Sequence, residues 1–192
     1  MNPHDQRLLL LRTGYDPIPC NGKASVVKDW ASRDRTNPAE IGMWSSPAGY
    51  PYAQNTGIRT RFTPAIDIDI TDPEVAEAVE DLARKTFEEH GATPCRIGQP
   101  PKRALLLRTD EPFKILTRSF IPKNGVYDPK KPPTIEILCE GQQLIAFGIR
   151  GRDRQGGGRA ESPPQTWGRD KDGAEARAAR AGHCREARSL EP

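Results

Sequence analysis

The stretch Ala65-Ile66-Asp67-Ile68-Asp69-Ile70 alternates strictly between apolar and acidic residues. This period of two predicts a β-strand with its isoleucines on one face and with Asp67 and Asp69 on the other. Aspartate is disfavoured in strands, so two like charges on one face indicate that something positive offsets them. Residues two apart in a strand lie about 6.5–7 Å apart at Cα, which lets both carboxylates reach one divalent ion. The alternative interpretation is a strand whose polar face simply meets water.

A second alternation places Glu136 between Ile135 and Ile137, so its side chain projects away from the core-directed isoleucines. If that strand lies beside the first, three carboxylates share one face of a sheet. Oxygen-only ligands favour Mg²⁺ or Mn²⁺ over zinc. Two such ions, roughly 3.5–4 Å apart, hold the attacking and leaving oxygens in phosphoryl and nucleotidyl transfer. The three acids therefore predict that chemistry, although Glu136 taken alone also fits a solvated strand face.

Three pairs of residues predict the starts of helices. Asn2-Pro3, Asn37-Pro38 and Asp72-Pro73 each combine an N-cap side chain with a proline at the first helical position. We expect the first helix to end at Gly14 and the second to be short. The third is expected to end near Gly91 and to carry its apolar residues on one stripe.

Strand signals fall in five segments: Thr56–Thr60, Ala65–Ile70, Arg103–Arg108, Ile135–Leu138 and Gln143–Phe147. Three of them lack an intervening helix long enough for a parallel crossover, so antiparallel pairing is favoured. The predicted fold class is α+β, with a mixed or antiparallel sheet and helices on one side.

A composition break near residue 150 divides the chain. Residues 1–150 read as one folded domain. Residues 151–192 contain one Leu, one Trp and no Val, Ile, Met, Phe or Tyr. Such a segment buries too little apolar surface to offset its ordering entropy, so we expect a disordered Gly/Arg/Ala-rich tail. The alternative is a basic arm that binds nucleic acid.

The charge balance hides a basic segment, which we define as residues 96–131. The 29 basic and 26 acidic residues give a net charge of +3, too weak to indicate a nucleic-acid or membrane partner by itself. Residues 96–131 nevertheless hold nine basic and three acidic side chains, whereas residues 64–94 hold two and nine. Lys102 and Arg103 are the best candidates for binding a triphosphate, because Pro100-Pro101 stiffens their approach to a strand. The alternative is a solubilising surface.

The sequence lacks signals for a membrane, for export and for structural zinc. No apolar run approaches the roughly 20 residues of a membrane helix, and none forms a signal-peptide core. We therefore expect a soluble, cytoplasmic protein without a membrane partner. The cysteines lie far apart and form no CxxC pair, which favours buried or incidental thiols over zinc ligands or disulfides. They are Cys20, Cys95, Cys139 and Cys184.

Four blocks of the sequence carry a family resemblance. They are GYDPIP (Gly14–Pro19) with Gly22-Lys23 and Trp30, NTGIRTRFTPAIDIDI (Asn55–Ile70) with DPEVAEAVEDL (Asp72–Leu82), RIGQPPKRALLLRTDEPF (Arg96–Phe113), and IEILCEGQQLIAFGI (Ile135–Ile149). In this order they resemble the bifunctional DNA primase/polymerase N-terminal domain of the archaeo-eukaryotic primase superfamily, in its phage and prophage branch. The resemblance runs from about residue 8 to residue 149.

The resemblance implies a primase-polymerase fold with an RRM-like catalytic core and flanking helices. It implies template-directed nucleotide polymerisation, with Asp67, Asp69 and Glu136 as the catalytic carboxylates that hold two Mg²⁺ or Mn²⁺ ions. The implied partners are a single-stranded DNA template and nucleoside triphosphates, together with a replicative helicase that is encoded separately or lost. The implied setting is the cytoplasm of a bacterial host that carries a phage or another mobile element.

With these carboxylates as the metal ligands, our leading hypothesis assigns substrate contacts to nearby side chains. Lys102 and Arg103 would contact the triphosphate, with Arg59 as a further candidate, and Gln143 would touch base or sugar. Phosphate contacts in the basic segment would hold the template without reading its sequence. The template-binding candidates are Arg96, Arg108, Lys114 and Arg118.

Two departures from the family pattern keep other functions open. Many members carry a histidine on the strand after the metal aspartates, whereas this chain has none between His90 and His183. The motifs end at Ile149, where Arg150 begins the predicted tail. One alternative is therefore a truncated, catalytically inactive remnant that binds single-stranded nucleic acid. The other is a metal-dependent phosphodiesterase.

Overall fold

The computed structural model describes residues 1–123 and 127–148. The predicted tail, residues 151–192, and the predicted domain boundary near residue 150 lie outside the described residues. The described residues form an α+β fold, as the sequence predicts. It contains three α-helices and two antiparallel sheets.

All three predicted helices form, and each begins at its predicted cap. Their bounds are α1 Pro3–Arg12, α2 Pro38–Ser45 and α3 Pro73–Thr86. The side chains of Asn2, Asn37 and Asp72 each accept a hydrogen bond from a backbone N–H of the first turn, which satisfies a donor that the helix itself leaves open. The predicted end of the third helix near Gly91 was too late. The α-helix ends at Thr86, and a short 3₁₀ turn over Glu88–His90 follows it.

The strands in chain order are β1 Pro17–Asn21, β2 Ala24–Ser25, β3 Asn55–Arg59, β4 Ala65–Asp69, β5 Cys95–Ile97, β6 Arg103–Leu106, β7 Leu116–Ser119, β8 Thr134–Leu138 and β9 Gln143–Phe147. Four of them form one sheet in the order β2-β1-β3-β9, and the other five form a second sheet in the order β5-β6-β4-β8-β7. Every described pair is antiparallel. All five predicted strand segments are present, whereas β1, β2, β5 and β7 were not predicted as strands.

Two clusters of buried side chains determine which face of the five-stranded sheet stays open. Ile66 and Ile68 of β4 pack in a cluster that includes residues of α3, so this helix covers one face. Ala65 belongs to a separate cluster that joins both sheets, together with Ile58 of β3 and Leu10 of α1. Because side chains alternate along a strand, Asp67 and Asp69 share the face of Ala65. Exposure on this face increases along β4, since Ala65 is buried, Asp67 is half-buried and Asp69 is exposed. The two aspartates therefore lie at the edge of the core between the sheets.

In a third cluster of buried side chains, α1 and α2 pack against each other. Ile41 and Trp44 of α2 pack with Val27, and Leu8 and Leu11 of α1 border them. Cys20, Cys95 and Cys139 are free and buried, which confirms the prediction of buried thiols for these three residues. Within the described part of the chain, no helix is both long and apolar enough to cross a membrane.

Candidate functional site

The register of the five-stranded sheet brings the three predicted carboxylates to one face. Asp67 lies opposite Glu136 on β8 and opposite Ala104 on β6. Glu136 in turn lies opposite Thr117 on the edge strand β7, and Ala104 lies opposite Arg96 on β5. Residues directly opposite on antiparallel strands share a face, so these five form one row across the sheet. The acids occupy its centre, Arg96 one end and the hydroxyl of Thr117 the other.

A second row lies one step along the strands. Asp69 is opposite Thr134 on β8, and Thr134 is opposite Ser119 on β7. The hydroxyls of Ser119 and Thr134 are hydrogen-bonded at 2.9 Å. On the other side of Asp69, Lys102 precedes β6 and its ammonium group forms an ion pair with the Asp69 carboxylate. Each row therefore has a basic residue on one side of the acids and hydroxyls on the other.

The electrostatics of Asp67 reflect this crowding of acids. Burial raises the pKa of Asp67 above its ordinary value, and the charges of Asp69 and Glu136 raise it further. The nearby charges of Arg96 and Lys23 act in the opposite direction but do not cancel the rise in pKa. The folded chain thus holds more negative charge around Asp67 than its own basic side chains offset, which favours binding of an added cation.

Two of the three carboxylates are engaged by other side chains. Asp69 is paired with Lys102, and Glu136 accepts a hydrogen bond of 3.2 Å from the hydroxyl of Thr117. Across residues 1–123 and 127–148, no three His, Cys, Asp or Glu side chains lie close enough together to hold a metal ion as they stand. The shared face and the all-oxygen donor set fit a hard divalent cation. A cation bound by Asp69 would compete with the ammonium of Lys102 for this carboxylate.

Arg103 lies on the other face of the sheet from the carboxylates. It is opposite Ile68, whose side chain points toward α3. The Arg103 guanidinium forms an ion pair with Glu80 of α3 and donates a hydrogen bond of 2.9 Å to the carbonyl of Pro101. The structure therefore brings Lys102 to the carboxylates and its neighbour Arg103 to the helix.

Arg59 is buried in the body of the protein. Its side chain is 7% exposed and forms a 2.6 Å ion pair with Asp16. It also donates hydrogen bonds to the carbonyls of Trp30, Arg33 and Asp34, which anchors the segment that connects β2 to α2. With these partners in place, the guanidinium of Arg59 is not brought to the carboxylate face.

The remaining template candidates are dispersed. Arg108 donates hydrogen bonds to the carbonyls of Thr13 and Gly14 and stacks over the ring of Tyr15, 4.3 Å from its centroid. Lys114 is exposed just before β7. Arg118 is exposed on β7 opposite Ile135, which places it on the face of α3 rather than on that of the acids. Of the four template candidates, only Arg96 lies in a row with the carboxylates.

Gln143 and Lys23 come from the four-stranded sheet. Gln143 donates a hydrogen bond of 2.7 Å to the carbonyl of Lys23, and its own side-chain oxygen accepts one from the thiol of Cys20. Gly22-Lys23 belongs to one of the sequence motifs, but no role was predicted for Lys23. The charge of Lys23 lowers the pKa of Asp67, and the motif was the one sequence signal that could have pointed to this residue.

A family model described as "Bifunctional DNA primase/polymerase, N-terminal" matches residues 7–176. This match extends beyond Ile149, where the motifs recognised in the sequence end. No curated protein matches the chain. Since the match covers most of the sequence, the chain belongs to the bifunctional DNA primase/polymerase N-terminal family.

Proposed function

We propose that this protein catalyses template-directed nucleotidyl transfer on a single-stranded DNA template, with Asp67, Asp69 and Glu136 as the carboxylates that hold two Mg²⁺ or Mn²⁺ ions. Family membership gives the coarser part of this function, namely DNA primase or polymerase chemistry on DNA and nucleotide substrates. The finer part rests on one observation. The strand register places Glu136 directly opposite Asp67 on the face that also carries Asp69.

The donor set supports the metal assignment. Three carboxylates supply only oxygen, which suits hard divalent cations. Burial and the two acidic neighbours raise the pKa of Asp67, so bound cations would relieve charge that the chain leaves uncompensated. When bound, such ions lower the pKa of the attacking 3′-hydroxyl and stabilise the pyrophosphate leaving group.

The basic residues beside the acids suit a triphosphate. Arg96 lies in the row of Asp67, and its planar guanidinium can bind two phosphate oxygens at once. Lys102 is paired with Asp69, and a phosphate oxygen would replace that carboxylate as its partner. Arg103 and Arg59 are omitted from this group, because Arg103 lies on the face of α3, where it pairs with Glu80, and Arg59 is buried, where it pairs with Asp16.

Primer extension on a single-stranded DNA template with Mn²⁺ tests the proposal. The parent protein should incorporate nucleotides, whereas an Asp67→Asn, Asp69→Asn double variant should lose more than 99% of that activity. Asp81→Asn on the exposed side of α3 provides the matched control and should keep parental activity. Incorporation that persists in the double variant would reject the metal assignment.

The same assay separates the two alternative functions. Salt-dependent binding of single-stranded DNA without incorporation would identify an inactive binding protein. Degradation of a labelled oligonucleotide in the absence of nucleotides would identify a phosphodiesterase. The basic segment does not distinguish these outcomes, because exposed Lys114 and Arg118 could hold a nucleic-acid backbone in all three cases.

A further inference from the structure

The edge strand β7 carries two hydroxyl side chains on the face of the carboxylates. Thr117 lies opposite Glu136, and Ser119 lies opposite Thr134. Residues directly opposite on antiparallel strands share a face, so both hydroxyls border the acids that β8 and β4 bring together. Both residues of β7 are exposed. The two hydroxyls differ, however, in what they donate their protons to.

The proton of the Ser119 hydroxyl is used between two hydroxyl groups. Thr134 donates its own proton to the carbonyl of Pro132 at 2.8 Å. A hydroxyl carries a single proton, so Ser119 is the donor in the 2.9 Å hydrogen bond that joins it to Thr134. With both protons engaged in this way, neither hydroxyl donates to Asp69, whose carboxylate is paired with Lys102.

The proton of the Thr117 hydroxyl goes to a carboxylate. Thr117 donates a hydrogen bond of 3.2 Å to Oε1 of Glu136, the residue directly opposite it. Threonine is β-branched, so the restricted χ1 torsion holds this donor in place relative to the backbone. The bond is longer than the usual distance between a hydroxyl and an oxygen, so its effect is to orient the glutamate rather than to stabilise the fold strongly.

The hydrogen bond leaves the other oxygen of Glu136 available. Among the described residues, Oε2 of Glu136 has no hydrogen bond or ion pair. Carboxylates that bind metal ions are commonly hydrogen-bonded themselves, which orients the ligand. Asp67, directly opposite on β4, cannot supply that bond when it is ionised, because a carboxylate has no proton to donate. The donor that orients Glu136 therefore comes from β7.

We propose that Thr117 is a positioning residue that orients Glu136 to bind the divalent cation of the carboxylate site. This role rests on the proposed function, since it requires Glu136 to be a metal ligand. A glutamate that is already held in one orientation loses less side-chain freedom when it binds a cation, and the affinity for the cation is correspondingly higher. Ser119 has no such role, because its proton is taken by Thr134.

Titration with Mn²⁺ alone, in the absence of DNA and nucleotide, is the first test. Thr117→Val removes the hydroxyl and keeps the branched shape. It should lower the Mn²⁺ affinity about three- to tenfold, less than is typical for partners of metal ligands because this bond is exposed. Electron paramagnetic resonance of free Mn²⁺ gives the affinity. A parental or higher Mn²⁺ affinity in Thr117→Val would overturn the proposal.

Two further variants distinguish positioning from a structural role. Thr117→Ser keeps the hydroxyl and should restore most of the parental Mn²⁺ affinity. Ser119→Ala is the matched control from the same strand and face, and it should leave that affinity unchanged. Thr117→Val should also melt at the parental temperature in a chelating buffer, because valine suits a strand at least as well as threonine. Equal losses of Mn²⁺ affinity in Thr117→Val and Ser119→Ala would contradict a specific role for Thr117.

The second test asks whether Thr117 acts through Glu136. Glu136→Ala should lower the Mn²⁺ affinity, and adding Thr117→Val should cause no further loss, because the group that Thr117 orients is gone. Additive losses in the double variant would contradict the positioning role. In primer extension, Thr117→Val should raise the Mn²⁺ concentration that gives half the maximal rate, with kcat close to the parental value at saturating Mn²⁺.

The outcomes also separate this inference from the function on which it rests. A parental Mn²⁺ affinity in Glu136→Ala would defeat the metal assignment, and the role of Thr117 with it. A loss of affinity in Glu136→Ala but not in Thr117→Val would defeat this inference alone. A parent protein that binds Mn²⁺ but incorporates no nucleotide would defeat the proposed activity, and the Mn²⁺ titrations would still decide the role of Thr117.

Discussion

Asp67 of β4 and Glu136 of β8 are directly opposite each other on adjacent antiparallel strands. Like charges in this relation destabilise a sheet, and α3 covers only the other face. The protein therefore keeps two acids where its own fold gains nothing from them. Such a cost is expected at a site selected for function rather than for stability.

The cost predicts that removing the charge of Asp67 stabilises the metal-free protein. Because burial and two acidic neighbours raise the pKa of Asp67, ionised Asp67 disfavours the folded state at neutral pH. In a chelating buffer at pH 7, Asp67→Asn should melt about 2–4 °C above the parent, the shift expected for roughly 1 kcal/mol in a chain of this size. Thermal unfolding followed by circular dichroism measures this difference.

The pH dependence supplies the control for that prediction. A raised pKa gives a stability contribution that is fully present below the unfolded value and is lost as the pH rises through the folded one. The difference between variant and parent should therefore shrink as the pH falls toward the ordinary aspartate value of 3.8. Asp81→Asn, at an exposed position of α3, should show no such pattern. A lower melting temperature for Asp67→Asn at pH 7 would contradict the argument.

Lys102 and a metal ion should compete for Asp69. The Lys102 ammonium is paired with this carboxylate, so Lys102→Met removes a competitor and should raise the affinity for Mn²⁺ about two- to fivefold, the range expected for a partly exposed ion pair. The same variant should bind nucleoside triphosphate more weakly, since it loses a phosphate-binding cation. Electron paramagnetic resonance of free Mn²⁺ gives the first constant, and fluorescence titration gives the second.

Lys114→Met is the matched control for this prediction. It removes the same charge from an exposed position, and it should leave the Mn²⁺ affinity unchanged. Equal gains in the two variants would indicate a general effect of net charge rather than competition at Asp69. A loss of Mn²⁺ affinity in Lys102→Met would show that the ion pair does not oppose metal binding.

Local signals account for the parts of this fold that were predicted correctly. Each of the three helices begins where an Asn or Asp side chain precedes a proline, because cap and proline act within a single turn. The alternation around Asp67 likewise predicts β4 without reference to the rest of the chain. By contrast, β1 contains Pro17 and Pro19, which signal extended backbone but do not say that Ile58 will pair with Pro17.

The missed features of the site depend on strand register. Lys102 and Arg103 are adjacent in sequence, and both looked suited to phosphate, yet neighbouring positions of a strand point to opposite faces. One is paired with Asp69 and the other with Glu80. The effect of Lys23 on the pKa of Asp67 is harder still to predict from sequence, because Lys23 lies beside the four-stranded sheet and Asp67 in the five-stranded one. Sequence periodicity identifies which residues share a face, but it does not say which faces meet.

Arg103 should contribute to stability rather than to nucleotide binding. Its side chain is 17% exposed and that of its partner Glu80 is 14% exposed. Burial opposes ionisation of Glu80, but hydrogen bonds from Arg103 and Arg84 hold the pKa of Glu80 below its ordinary value. Arg103→Met should therefore cost about 1–2 kcal/mol of unfolding free energy at pH 7. Its triphosphate KM in primer extension should equal that of the parent.

Because the pKa of Glu80 is lowered, the loss of unfolding free energy in Arg103→Met depends on pH. A lowered pKa gives stability that is present above the ordinary value of 4.5 and is lost as the pH falls through the folded pKa. The cost of Arg103→Met, measured by urea unfolding, should accordingly diminish in acid. A raised triphosphate KM together with unchanged stability would return Arg103 to the group of nucleotide-binding residues.

Gly98 should govern the position of Arg96. A Cβ at Gly98 would lie 2.6 Å from the Arg96 guanidinium carbon. The Arg96 side chain therefore occupies the space that any residue other than glycine would fill with its Cβ. Gly98→Ala should displace the guanidinium, the flexible end of that side chain, and raise the triphosphate KM about three- to tenfold.

Gly42→Ala in α2, where an added Cβ meets nothing within 4 Å, should leave KM unchanged. In an Arg96→Met background, Gly98→Ala should have no further effect, because the group that it displaces is already gone. A similar rise in KM with and without Arg96 would mean that Gly98 acts through the backbone of the β5–β6 connection instead.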